Sequence, residues 1–224
     1  MMTTSEIITG IITWAPGIIF AVTLHEWAHG FAATRFGDPT PAIYGRLTLK
    51  PWPHIDPLWS IVIPVVMLVT TLATTGHPIV FGGAKPVPIN PNNFSPNSFR
   101  LALLSVAIAG PVMNILLALI CALLFRLVFF LPLFMIDPLA SMLIAAIQMN
   151  VLLAVFNMLP VPPLDGGRVA TAILPFPLNK KLAHLEKFGL PIIIILAFSG
   201  NLGSLLQPPM HWALSIFYSV AGLD

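Results

Sequence analysis

Residues 7–29, IITGIITWAPGIIFAVTLHEWAH, decide how the rest of the chain is read. Residues 7–24 carry no charge, and a helix of that length can cross the hydrocarbon core of a bilayer. The run ends in His25-Glu26-Trp27-Ala28-His29, an HExxH pattern. On a helix, positions four apart share a face, so both imidazoles can converge on one zinc ion. Glu26 can then reach a metal-bound water as its base. Placed at the end of an apolar run, the pattern points to hydrolysis inside a membrane or at its edge.

Composition agrees with a membrane setting. The 224 residues are 57% hydrophobic and only 8% charged, with a mean hydropathy of +0.93. So few charges cannot cover a soluble surface, and apolar runs of span length recur, as expected of a polytopic membrane protein. Residues 1–6 hold no Lys or Arg, which argues against a removable signal peptide. Cys121 is the single cysteine, so no disulfide can form within one chain. A dispersed net charge of +2 gives no footprint for nucleic acid. With no repeats or low-complexity tracts, the expectation is one membrane-embedded domain over 1–224. Its catalytic core covers about 7–175, and C-terminal helices cover about 180–222.

The expected fold is all-α, with five to six membrane segments and a short extended or re-entrant β element near the active site. A first helix over 7–36 stops at Gly37-Asp38-Pro39. The alternation in Tyr44-Gly45-Arg46-Leu47-Thr48-Leu49-Lys50 suits a short strand. Residues 58–72 are apolar, 76–99 are rich in Gly, Pro and Asn, and 81–90 reads as extended. Further spans are expected at 101–130, 139–159, 182–198 and 205–220. Arg35, Arg46, Lys50, Lys85 and Arg100 precede residue 101, and Arg168, Lys180 and Lys181 follow 159. If both groups are cytoplasmic, 58–72 cannot cross simply, and either it or 76–90 re-enters the membrane. Irregular backbone at that depth survives only when buried in protein or lining a wet cavity, so this stretch is expected to border the site.

Two histidines need a third protein ligand. The candidates are Asp38, Asp56, Asp137, Asp165 and Glu186. Asp38 and Asp137 sit beside prolines, where turn chemistry accounts for them. Asp165, in Asn157-Met158-Leu159-Pro160-Val161-Pro162-Pro163-Leu164-Asp165-Gly166-Gly167, follows an inward span and falls at the depth of His29. Prolines break the helix there and glycines allow a tight return, so this carboxylate can point back into the bundle.

Together, His25-Glu26-Trp27-Ala28-His29 and the stretch from Asn157 to Gly167 resemble the site-2 protease family of intramembrane zinc metalloproteases. Ala109-Gly110-Pro111-Val112-Met113-Asn114 and Phe81-Gly82-Gly83-Ala84-Lys85-Pro86-Val87-Pro88-Ile89-Asn90 extend the match toward the family's short subgroup. The resemblance spans roughly 20–175, and no PDZ or CBS domain is expected. It implies one Zn²⁺ per chain held by His25, His29 and Asp165, with Glu26 as general base. Asn157, and more weakly Asn114, are implied to bind substrate. The implied partners are transmembrane protein substrates, such as anti-sigma factors or signal-peptide remnants. The implied location is a bacterial inner membrane, with the site toward the cytoplasm.

Two other functions fit parts of the pattern. A zinc transporter would spread ligands along a path across several helices, whereas here they cluster at one depth. An inactive scaffold would have no use for Glu26. His54 and Asp56, in the same inward loop, are further candidates for gating or substrate contact. His77, His184 and His211 read as interfacial residues.

Overall fold

The computed structural model describes residues 3–67, 70 and 82–223. Helix α1 (Thr4–Arg35) opens on a capping box, with the Thr3 hydroxyl accepting from the Glu6 N–H and the Glu6 carboxylate accepting from the Thr3 N–H. One turn, α2 (Thr40–Ile43), and the short apolar α3 (Pro57–Met67) follow. The long helices are α4 (Phe99–Val128) and α5 (Leu133–Asn157). Then come α6 (Asp165–Ile173), α7 (Leu178–His184), α8 (Glu186–Phe198) and α9 (Asn201–Ala221).

Among the described residues, α1, α4 and α5 are long and apolar enough to cross a membrane. A fourth span exists if α8 and α9, bent by 88°, count as one. Among the described residues the structure thus supports three or four spans, against the five to six expected. The stretch at 182–198 is divided between α7 and α8, and Gly200, at φ 76°, breaks the chain before α9. Pro208 and Pro209 lie inside α9 rather than before it.

No strand occurs among the described residues, so the expected β element finds no support there. At 44–50 the chain turns instead, with Gly45 at φ 65° and the Arg46 N–H donating back to the Pro41 carbonyl at 2.8 Å. Residues 82–90 have no regular secondary structure and pair with no neighbouring strand. Pro86 and Pro88 have no N–H to offer a ladder, and the Gly83, Lys85, Val87 and Asn90 N–H groups donate one by one to the Trp59 and His54 carbonyls and the Glu26 and Asp38 carboxylates. Phe81 and residues 71–80, including His77, lie outside the described residues.

Small residues let the three long helices approach closely. A Cβ on Gly17 of α1 would lie 3.0 Å from the Ala146 Cα of α5. Ala118 and Ala122 of α4 pack with Ile147 and Val151 of α5 and with Ala213 and Phe217 of α9. Ala33 of α1 meets Ala102 and Val106 of α4, while Asn114, twelve residues further along α4, bonds the Ala21 carbonyl. The two helices are therefore antiparallel. Arg35, Arg100 and the chain end that leads into α6 share one end of the bundle.

Candidate active site and metal centre

The helical repeat sets His25 and His29 on one face of α1, with their Nε2 atoms 3.1 Å apart. Asp165, the first residue of α6, brings Oδ2 to 3.3 Å from His25 Nε2 and 3.2 Å from His29 Nε2. All three side chains are buried. The glycines after Asp165 allow this approach, since a Cβ on Gly167 would lie 2.5 Å from the Val161 carbonyl carbon. The Gly166 position is filled in the same way by the Met158 carbonyl.

Hydrogen bonding on the far side of each ring fixes what faces inward. His29 Nδ1 lies 2.7 Å from the Val106 carbonyl oxygen, which can only accept, so Nδ1 carries the proton. His25 Nδ1 lies 2.6 Å from Asn114 Oδ1. Both Nε2 atoms then turn lone pairs toward Asp165. Its Oδ2 is buried without a hydrogen-bond donor. Three electron-pair donors with edges of 3.1–3.3 Å match the spacing of about 3.3 Å between ligands on a tetrahedral zinc. The donor set fits the metal.

A cavity of about 130 Å³ opens on this cluster, and its lining includes Glu26, Val87, Asn157 and Arg168. Glu26, half-buried, accepts the Val87 N–H on Oε2 at 2.9 Å. The expectation that the extended stretch borders the site therefore holds for its described part, 82–90. The segment is tied down at several points. Buried Arg46 donates to the Lys85 and Pro86 carbonyls, both at 3.0 Å. The Lys85 N–H donates to the His54 carbonyl. Asp38, wholly buried, accepts the Asn90 N–H at 2.8 Å and the Asn93 amide at 2.7 Å. Burial pushes the Asp38 carboxyl up, but hydrogen bonds from Thr40, Asn93 and Asn90 outweigh it and leave the group below its ordinary value.

The other sequence candidates divide. Asn157 lines the cavity and donates one N–H to the Leu153 carbonyl at 2.9 Å. Asn114 is wholly buried behind His25, with its amide spent on protein partners. His54 is also buried, bonded to the Thr48 carbonyl, and Asp56 caps α3 through the Leu58 and Trp59 N–H groups. Neither lines the cavity. Sequence reasoning missed Gly110, Asn150, Arg46 and Val87. Asn150 left a signal, since an amide in an apolar span needs a partner, whereas nothing local marks Arg46.

Comparison with known proteins bears directly on this cluster. The chain is 36% identical to YwhC of Bacillus subtilis, over 86% of this chain and 83% of that protein. It is 30% identical to Rip2 of Mycobacterium tuberculosis, over 89% of this chain and 72% of that protein. Both relatives carry the name "Putative zinc metalloprotease". Residues 132–199 match Peptidase family M50. This chain belongs to the M50, or site-2 protease, family. It is thus a zinc metalloprotease and an integral membrane protein whose substrates belong to the membrane. The family match runs through Ser199, beyond the point near 175 where recognisable motifs end. No solved structure matches the chain.

Proposed function

We propose that this M50 protease hydrolyses peptide bonds within or beside transmembrane segments of other proteins. His25, His29 and Asp165 hold the zinc, and Glu26 acts as general base. The observation that carries the reading is the buried triangle of ligand atoms at the end of a span-length helix. A transporter path is less well supported, because among the described residues this is the one group of three metal-binding side chains.

Zinc, when bound, supplies a Lewis acid that polarises a carbonyl and lowers the pKa of water. The residues do the rest. Glu26 is anchored through Oε2 by the Val87 N–H, which leaves Oε1 to take a proton and pass it to the leaving amine. Asn157, at the cavity wall, keeps a second N–H and its amide oxygen for an unwound substrate backbone. Residues 82–90, which reach the cavity at Pro86, Val87 and Ile89, offer backbone beside which a substrate strand can lie. Leaving a helix is a requirement for the substrate, since helical backbone shields the scissile carbonyl.

Arg35, Arg100 and Arg168 at the site's end of the bundle favour a cytoplasmic site in a bacterial inner membrane. Anti-sigma factors and signal-peptide remnants are the substrate classes we favour. We treat residues 1–224 as one catalytic unit. Glu26→Gln tests the assignment: cleavage of a transmembrane peptide in proteoliposomes is expected to vanish while about one zinc per chain remains. Retained cleavage rules out Glu26 as the base.

A further inference from the structure

We propose that Asn114 and Asn150 form a relay that sets the tautomer of His25 and so keeps its Nε2 lone pair available to zinc. The inference rests on the three-ligand reading of the site. It is built from backbone carbonyls outward, because those atoms can only accept. Asn150 Nδ2 donates to the Ala146 carbonyl at 2.9 Å, which turns Oδ1 toward Asn114. Asn114 Nδ2 then donates to Asn150 Oδ1 at 2.9 Å and to the Ala21 carbonyl at 3.2 Å. Both amide donors are spent, so Oδ1 is the atom facing His25 Nδ1 at 2.6 Å, and it demands a proton there.

An amide turned the other way would aim N–H at Nδ1 and push the ring proton onto Nε2, where it blocks the metal. His29 needs no such device, because the Val106 carbonyl performs it directly. The two asparagines are 0% and 2% exposed, so water cannot substitute for either partner. Their chain joins α4 and α5 to the ligand on α1. Asn114 and Asn150 are positioning residues: neither touches substrate, and both act through His25.

The test compares the full chain in detergent with Asn114→Leu, Asn150→Leu and the double variant, using zinc affinity against a competing chelator. Asn114→Leu is expected to weaken zinc about 10–100-fold, as loss of a ligand's outer partner does. Asn150→Leu is expected to weaken it less, and to add nothing in the Asn114→Leu background. Interhelical glue alone predicts that zinc affinity is unchanged however much the melt is lowered. Zinc affinity within twofold of wild type in Asn114→Leu, or an additive double variant, overturns the relay.

Nitrogen-15 shifts of the His25 ring in the zinc-free chain give a second readout. Wild type should show Nδ1 protonated, and Asn114→Leu a mixture of tautomers; an unchanged ring refutes the relay. If Asn114→Leu does not fold, Asn150→Leu decides by the same two measurements, and wild-type behaviour in both overturns the proposal. Wild type without zinc would instead refute the three-ligand site, while the ring shifts still judge the relay.

Discussion

Gly110→Ala places one methyl group against the two histidines proposed as metal ligands. A Cβ at this position of α4 would lie 2.6 Å from both Nε2 and Cε1 of His25, and it would also strike His29 Nε2. Ordinary carbon contacts begin near 3.5 Å, so the His25 ring must retreat by about 0.9 Å and the His29 ring further. Neither can do so freely, because Nδ1 of each is held from behind, by Asn114 and by the Val106 carbonyl. Zinc tolerates ligand displacements of only about 0.2 Å. A misplacement near 1 Å in such a site costs on the order of a hundredfold, and that is the expected loss of zinc affinity. The helix itself gains, since Ala is favoured over Gly in a helix interior by about 1 kcal/mol. The assay is zinc affinity beside the thermal melt of the zinc-free chain. A variant that melts normally and binds zinc like wild type would refute the claim that Gly110 is glycine to make room for the ligands.

Four further outcomes follow from the geometry. Arg46→Ala should lower kcat roughly tenfold to a hundredfold while zinc content stays at wild type; an unchanged kcat means that the Lys85 and Pro86 carbonyls need no clamp. Asp38→Asn should lower stability by about 1.5–3 kcal/mol, the usual worth of hydrogen bonds to a charged group, read from a detergent melt. Because the folded carboxyl of Asp38 lies below its ordinary value, its contribution is complete above the unfolded pKa near 3.9. It is lost as pH falls through the folded value, so Asp38→Asn should flatten the acid limb of a melt-versus-pH curve. Gly189→Ala puts a Cβ 2.5 Å from the Pro162 carbonyl carbon and 2.6 Å from Pro163 Cδ; overpacking of about 1–3 kcal/mol should lower the melt and weaken zinc together.

The chemistry of this chain is more legible in sequence than its support. His25, Glu26, His29 and Asp165 belong to local patterns whose spacing is dictated by the metal, and α1, α4 and α5 announce themselves by length and apolarity. Residues 82–90 lie along the site without forming a strand, because a ladder depends on a partner that alternation alone cannot supply. At 44–50 the period-two pattern is real and Gly45 overrides it by admitting a left-handed turn. Asn114 was visible as an amide in an apolar helix, yet whether it faced substrate or ligand depends on which face α4 turns to α1. That is decided by packing rather than by periodicity.

The residues that tie the bundle to the site share one property that explains their silence in sequence. Arg46, Asp38 and Gly189 act through backbone: Arg46 on the Lys85 and Pro86 carbonyls, Asp38 on the Asn90 N–H, and Gly189 by yielding space to the Pro162 carbonyl. A partner that is backbone leaves no residue type to look for. The proline-rich segments 85–91 and 160–163 need such help, since each proline removes a donor that might have anchored them in regular structure. The Gly189 contact also gives the C-terminal region a task. Helix α8 abuts the loop that delivers Asp165, and the family match likewise continues past Asp165 to Ser199. On this argument, shortening the chain before α8 should loosen Asp165 and weaken zinc even though no ligand is removed.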